Sequence, residues 1–322
     1  KKAVSFVEAE GGRPEPILLY LAPEAPHLPS RYAERHGGDF RYELAPRVPS
    51  FNEGNSPDMA ASARALPLLS PADMDRLDEL QRWRLRSLSS VEDMLDAVVQ
   101  ALARTGRLEK TYIFFTSDNG LLMGQHRGFA VKGNFHEETI RVPLYVRGPG
   151  VPVGTTDALG VNVDLAATFA ELAGLPVPDR VDGRSLVPFL RGKPPSSWRT
   201  DAYVENYAGP DQTYALRSAP WLYGESEEIA VYDMLADPYQ LKNLRRLVRM
   251  VALAGGDLRL TIAGEGPDRA AIEAEIAAQG MAVLATEGAM KQAERIRSRA
   301  AEQRAIVNEE MAVVAEALKK VQ

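Results

Sequence analysis

The sequence predicts an α/β fold: a mixed, mostly parallel sheet flanked by helices, followed by a smaller antiparallel subdomain. Three observations predict it. Two continuous apolar runs, residues 17–21 and 112–115, break off into loops made of Pro or of Asp, Asn and Gly, the pattern of strands buried on both faces. Helical apolar periodicity stands between and after such runs, the order expected of α/β units. From residue 198 to 244 the texture changes to short segments rich in Tyr and Trp, which reads as a small antiparallel sheet.

The elements follow in order. Pro14 and Pro16 precede Ile17-Leu18-Leu19-Tyr20-Leu21, read as a buried strand. Pro23, Pro26 and Pro29 then exclude helix and sheet interior, so His27 lies in a stiff loop leaving that strand's C-terminal end. Residues 31–70 are loop-rich, punctuated by Pro46, Pro49, Pro57 and Pro67. Ser70, Pro71 and Asp73 suit the N-cap, the first helical position and the helix dipole. A second helical run puts Val91, Leu95, Val98, Val99 and Leu102 on one face, with Gly106 closing it. The strand Tyr112-Ile113-Phe114-Phe115 runs into Ser117-Asp118-Asn119-Gly120, and Val142-Pro143-Leu144-Tyr145-Val146 is a strand broken at Gly148. Residues 163–172 read as a helix closed by Gly174. Residues 203–204, 214–217, 221–223 and 231–232 supply the antiparallel strands, closed by a turn at 236–239. Beyond Arg245 come a strand at 258–263, a Gly-rich loop, an alanine-rich helix and a charged tail. In that tail Ala300, Val307, Met311, Val314, Leu318 and Val321 follow helical spacing. The expected division is 1–197 as the main α/β domain, 198–244 as the antiparallel subdomain, 245–283 as a βα fragment and 284–322 as an amphipathic helical tail.

Composition narrows the function. With 38 Lys and Arg against 44 Asp and Glu, the chain's net charge is -6. A nucleic-acid partner needs a basic face, so the balance is a mild argument against one. No stretch approaches the ~18 apolar residues of a membrane span. Cysteine is absent from the 322 residues, which removes disulfides, thiolate metal ligands and any Cys nucleophile.

Several residues could carry chemistry. Asp118 and Asn119 are delivered side by side at the C-terminal edge of an apolar strand, where open α/β sheets place their ligands. Their side-chain oxygens suit a hard cation such as Ca²⁺ or, less well, Mg²⁺. The same residues equally fit a turn in which Asp118 and Asn119 bond their own backbone and Gly120 supplies a positive φ. His27 could donate to an anion or stand as a solvated loop residue. His126, Arg127 and Lys132 lie just downstream; they read either as cations for an anionic group beside the metal or as a solvated basic loop. Glu137 and Glu138 point apart and read as surface charge.

Taken together these residues resemble the type I sulfatases. Leu19-Tyr20-Leu21-Ala22-Pro23-Glu24-Ala25-Pro26-His27 is similar to the family's LYLAPKAPH segment. Thr116-Ser117-Asp118-Asn119-Gly120, Gly124-Gln125-His126-Arg127, Lys132 and Ile140-Arg141-Val142-Pro143-Leu144 resemble the run TSDNG…GxHR…K…IRVPL. The resemblance continues through Asp182-Gly183-Arg184-Ser185-Leu186 to Tyr232-Asp233 and Asp237-Pro238, ending at Asn243-Leu244. It covers residues 1–244, nearest to the N-acetylglucosamine-6-sulfatase and bacterial arylsulfatase branch.

The resemblance implies an alkaline-phosphatase-like α/β fold, a Ca²⁺ ion, and hydrolysis of sulfate esters on a sulfated carbohydrate or aryl sulfate by a formylglycine nucleophile. By position it implies Asp118 and Asn119 as metal ligands, His27 and Lys132 as sulfate contacts, and His126 at the pocket edge. It also implies a periplasmic or secreted place, although no signal-peptide apolar region opens the chain. The family makes formylglycine within a Cys/Ser-x-Pro-x-Arg motif, and no such motif occurs here. The expectation is therefore a partial sulfatase domain, inactive alone, whose exposed sheet edge or terminal helix invites self-association. Residues 257–280 separately resemble a nucleotide-sugar βα fragment of GT-B glycosyltransferases. A glycosyltransferase-related protein, or a non-catalytic scaffold or chimera, is the alternative.

Overall fold

The computed structural model describes residues 1–56, 59, 61–177, 180–206, 213–226 and 229–244. They fall into two units, one of Lys1–Asn55 with Ala63–Arg199 and the other carrying the sheet that begins just after Thr200. The expected fragment at 245–283 and tail at 284–322 lie outside the described residues.

In the first unit, helix α1 (Lys2–Glu10) buries Val7 completely against Val98, Ala101 and Leu102. Gly11 lets it approach closely, because a Cβ there would lie 2.5 Å from Thr105 Cγ2. Those partners belong to α3 (Pro71–Arg104), which follows the short α2 (Ala61–Ala65). Ser70 and Asp73 form a reciprocal capping box: the Ser70 hydroxyl accepts from Asp73 N at 3.2 Å and the Asp73 carboxylate from Ser70 N at 3.1 Å. The two helical runs expected at 70 and 91 are one helix of 34 residues. No Gly or Pro interrupts residues 72–104, so nothing divides them.

The polar face of α3 straps down residues 31–47. Asp78 accepts from Ala45 N and Arg47, Arg82 donates to Glu43 O, and Arg86 donates to Asp39 O. Ser87 donates to Arg31 O, Ser90 accepts from Ala33 N, and Asp93 accepts from Arg35 and His36. The one-turn spacing of these residues puts them on one stripe. The helix's apolar face carries Leu77 and Leu80 against Ala45 and Met123.

Strands β1 (Ile113–Thr116) and β4 (Leu144–Arg147) form a two-stranded sheet. Between them lie the hairpin β2 (Leu122–Met123) with β3 (Phe129–Val131) and the four-residue α4 (Glu137–Ile140). Behind β1, α5 (Asp164–Leu172) sets Phe169 edge-on to Phe114 at 5.0 Å. Asp164, fully buried, anchors α5 through Arg199, Val161 N and Arg184 N. A short α6 (Val187–Leu190) completes the unit.

Two expectations are corrected here. The sheet is not mostly parallel: every strand pair among the described residues is antiparallel, Ile113 facing Arg147 and Thr116 facing Leu144. A parallel return needs a long crossover, usually a helix, and α4 is too short to be one. Nor is 17–21 a buried strand. It is irregular, with Leu18 77% and Tyr20 84% exposed, because no strand among the described residues pairs with it. Strand β1, paired with β4 alone among the described residues, is mostly half-buried.

The second unit is the sheet β5 (Asp201–Asn206), β6 (Thr213–Ser218), β7 (Trp221–Glu225) and β8 (Ile229–Asp233), antiparallel throughout and in sequence order. Trp221, Val231 and Leu244 make its core, and Asn243 Oδ1 accepts from Val231 N. The antiparallel reading of 203–232 matches this sheet.

Candidate functional site

Thr116 ends β1, and its hydroxyl donates to Pro143 O at 2.8 Å, tying the strand end to the start of β4. The chain then turns through Ser117, Asp118, Asn119 and Gly120. Ser117 Oγ donates to Asn119 O, Asp118 Oδ1 accepts from Asn119 N at 2.9 Å, and Asn119 Nδ2 donates to Gly120 O at 2.8 Å. Asn162 Nδ2 adds a bond to Asp118 O. The loop is thus locally self-bonded, as the turn reading required. Gly120 is needed for a different reason than a positive φ. A Cβ there would sit 1.9 Å from Glu138 O, so only glycine lets the loop seat against α4. Gly120 N and Leu121 N donate to Thr139 O and Glu138 O, each at 2.9 Å.

This seating leaves useful atoms outward. Asp118 is exposed, and its Oδ2 accepts no hydrogen bond among the described residues. Asn119 turns Oδ1 toward Lys132, whose exposed ammonium lies 3.5 Å away. The structure therefore brings together Asp118, Asn119 and Lys132: two hard oxygen donors, one negative charge and one exposed cation.

His27 and His126 do not join them through any bond among the described residues. His27 is exposed, with Nδ1 2.9 Å from Leu28 O. A carbonyl only accepts, so Nδ1 carries a proton and Nε2 becomes a donor only when the ring is doubly protonated. His126 is buried, its Nδ1 2.7 Å from Glu53 Oε1, and it stacks on His136 at 3.9 Å. Arg127 is buried as well, donating to Glu53 O, Leu66 O and Asn55 Oδ1. Of the three cations at 126, 127 and 132, read either as anion contacts or as a solvated basic loop, only Lys132 is exposed. Glu53 was missed because nothing in its own neighbourhood marks it; its partner stands 73 positions away.

The residues present fit only part of a calcium shell. Ca²⁺ takes about 6–8 oxygens, and Asp118 with Asn119 supplies two side-chain donors. Among the described residues no group of three or more His, Cys, Asp or Glu is placed to hold a metal ion. Formylglycine has no position here, since neither Cys nor a Ser-x-Pro-x-Arg motif occurs in the chain. No described helix is long and apolar enough to cross a membrane.

The chain that carries this loop is similar to known proteins over most of its length. Residues 1–175 match the sequence model of the sulfatase family, and residues 124–254 match that of the C-terminal region of N-sulphoglucosamine sulphohydrolase. The first match spans more than half of the chain, and the chain belongs to the sulfatase family. Human N-acetylglucosamine-6-sulfatase is 33% identical over 286 residues, covering 76% of this chain and 52% of the relative. A solved structure in complex with its substrate D-glucosamine-2-N,6-O-disulfate is 30% identical, with a TM-score of 0.53 over 60% of this chain and 42% of that one. The phosphonate monoester hydrolase of Agrobacterium radiobacter shares the fold at 24% identity, with a TM-score of 0.61 over 88% and 60%. These likenesses place the chain in the α/β class expected. The chain spans about half the length of the curated relatives it matches. Neither family model reaches residues 257–280, where the glycosyltransferase resemblance was read.

Proposed function

We propose that this chain carries the sulfate- and cation-binding part of a sulfuric ester hydrolase acting on a 6-sulfated amino sugar. The observation that carries the reading is the meeting of Asp118, Asn119 and Lys132 at the end of β1, with Lys132 Nζ 3.5 Å from Asn119 Oδ1. The relative named for N-acetylglucosamine 6-sulfate and the structure holding glucosamine disulfate support the choice of substrate class. Asp118 and Asn119 would offer their oxygens to Ca²⁺, which when bound neutralises sulfate oxygens and withdraws charge from sulfur. Lys132, released from Asn119, would point its ammonium at a sulfate oxygen. His27 would give a further donor from Nε2 in its doubly protonated form. The residues from 1 to 197 would form this part of the domain, with 198–244 as its C-terminal subdomain.

With neither Cys nor a Ser-x-Pro-x-Arg motif, this chain supplies no formylglycine nucleophile. The chain alone therefore binds but does not turn over. The test uses the purified full chain with CaCl2 and N-acetylglucosamine 6-sulfate, measured by calorimetry, with an aryl sulfate assay in parallel. The reading expects binding of the sulfated sugar, weakening by about tenfold or more in Lys132→Ala, and no release of sulfate. Equal affinity for unsulfated N-acetylglucosamine would end the binding proposal. Turnover of the aryl sulfate would end the claim that the chain lacks its nucleophile.

A further inference from the structure

Glu53 lies in the loop ahead of α2 and takes no part in the cluster just described. Its Oε1 accepts from His126 Nδ1 at 2.7 Å, with the two side chains 10% and 4% exposed. A carboxylate only accepts, so this bond fixes the proton on Nδ1. His126 Nε2 is then buried with no hydrogen-bond partner among the described residues. The imidazole is held at its edge by Glu53 and on its face by His136, with the planes 16° apart.

His136 is the N-cap residue of α4, and its carbonyl accepts from Thr139 N, Ile140 N and the Thr139 hydroxyl. Helix α4 in turn gives the carbonyls of Glu138 and Thr139 to the N–H groups of Leu121 and Gly120. Gly120 has no clearance in this seat. A continuous set of contacts therefore runs from Glu53 through two stacked rings and one helical turn to the residue that follows Asn119. We propose that Glu53 is a positioning residue for the Asp118-Asn119 loop, acting through His126, His136 and α4. The inference rests on the reading of that loop as the working end of the site, and it concerns how the loop is held.

The backbone at Glu53 is fixed separately, because Arg127 Nε donates to Glu53 O. The side chain can thus be changed without releasing the segment. Amide hydrogen exchange at Gly120 and Leu121 tests the link in the full chain with no ligand present, so its failure is distinct from a failure of metal or sulfate binding. Glu53→Met keeps the side chain's length and removes the acceptor; Glu53→Gln keeps an acceptor oxygen. Met is expected to speed exchange at Gly120 and Leu121 by about tenfold or more, leaving the amides of α1 and the middle of α3 unchanged, and Gln is expected to restore the slow rates. His126→Phe, which keeps a ring on His136 without the bond to Glu53, is expected to loosen the same two amides. Wild-type rates at both amides in Glu53→Met and in His126→Phe would overturn the proposal, as would equal loosening by Met and Gln.

Discussion

Two apolar runs of the chain carry the same strand signal and meet different ends. Residues 113–116 pair with β4 and set Phe114 on Phe169 of α5. Residues 17–21 pair with nothing among the described residues and expose Leu18 and Tyr20. The signal itself, a continuous run of large apolar side chains, records a preference for an extended, buried backbone. Whether that preference is met depends on a partner strand, which a run cannot provide for itself. The comparison teaches that an apolar run is a demand for partners, and that β1 became a platform for the site because β4 and α5 answer it.

The largest way to break the comparison is to remove what anchors α5 behind β1. Asp164→Ala leaves Arg199, only 11% exposed, without its carboxylate partner. The expected loss of unfolding free energy in urea is about 3–5 kcal/mol, and a loss within ~0.5 kcal/mol would show that α5 does not support β1. Next comes the contrast itself. Phe114→Ala is expected to cost about 2–4 kcal/mol, somewhat below a fully buried Phe, whereas Leu18→Ser is expected to stay within ~0.5 kcal/mol. Equal losses at the two positions would erase the distinction between an answered and an unanswered run.

A smaller effect sharpens the comparison from the segment that follows residues 17–21. The strap at 31–47 is held by polar bonds, and its end is pH-dependent. Both nitrogens of His36 face carboxylates, Nε2 at 2.8 Å from Asp93 Oδ2 and Nδ1 at 2.9 Å from Asp39 Oδ2. Hydrogen bonds to Asp93 first and Asp39 second raise the His36 pKa above its ordinary 6.5, with desolvation and then the Arg35 charge opposing. Hydrogen bonds from His36, then Arg35, lower Asp93 below 3.8. A group whose folded pKa is raised stabilises fully below its unfolded value and ceases to do so as pH rises through the folded one. Protection of the 31–44 amides is therefore expected to be full below pH 6.5 and to decline as pH climbs through the raised value. His36→Gln should abolish that decline. A decline of the same size in the variant would assign it to another group.

Much of this was legible in the sequence for reasons that hold locally. The Ser70-Pro71-Asp73 start, the helix read at 163–172, the strands read at 112–115 and 142–146, and the short antiparallel segments read between 203 and 232 depend on residues close together in the chain. The doublet Asp118-Asn119 stood out for the same reason. What stayed hidden depends on distant partners. Helix α1 buries one residue deeply, Val7, too little to give a periodic pattern. The exposure of 17–21 reflects a strand that is not paired, and Glu53 acquires meaning only beside His126. Gly120 was singled out correctly for a wrong reason, since a close approach by Glu138 O cannot be seen in a four-residue motif.

The account depends most on Asp118 and Asn119 being cation ligands. Calorimetric titration of the full chain with CaCl2, wild type against Asp118→Ala, tests this directly. With two side-chain donors, binding on the order of millimolar is expected, saturating in the wild type and absent in the variant. No heat in the wild type, or the same isotherm in both proteins, would contradict the account.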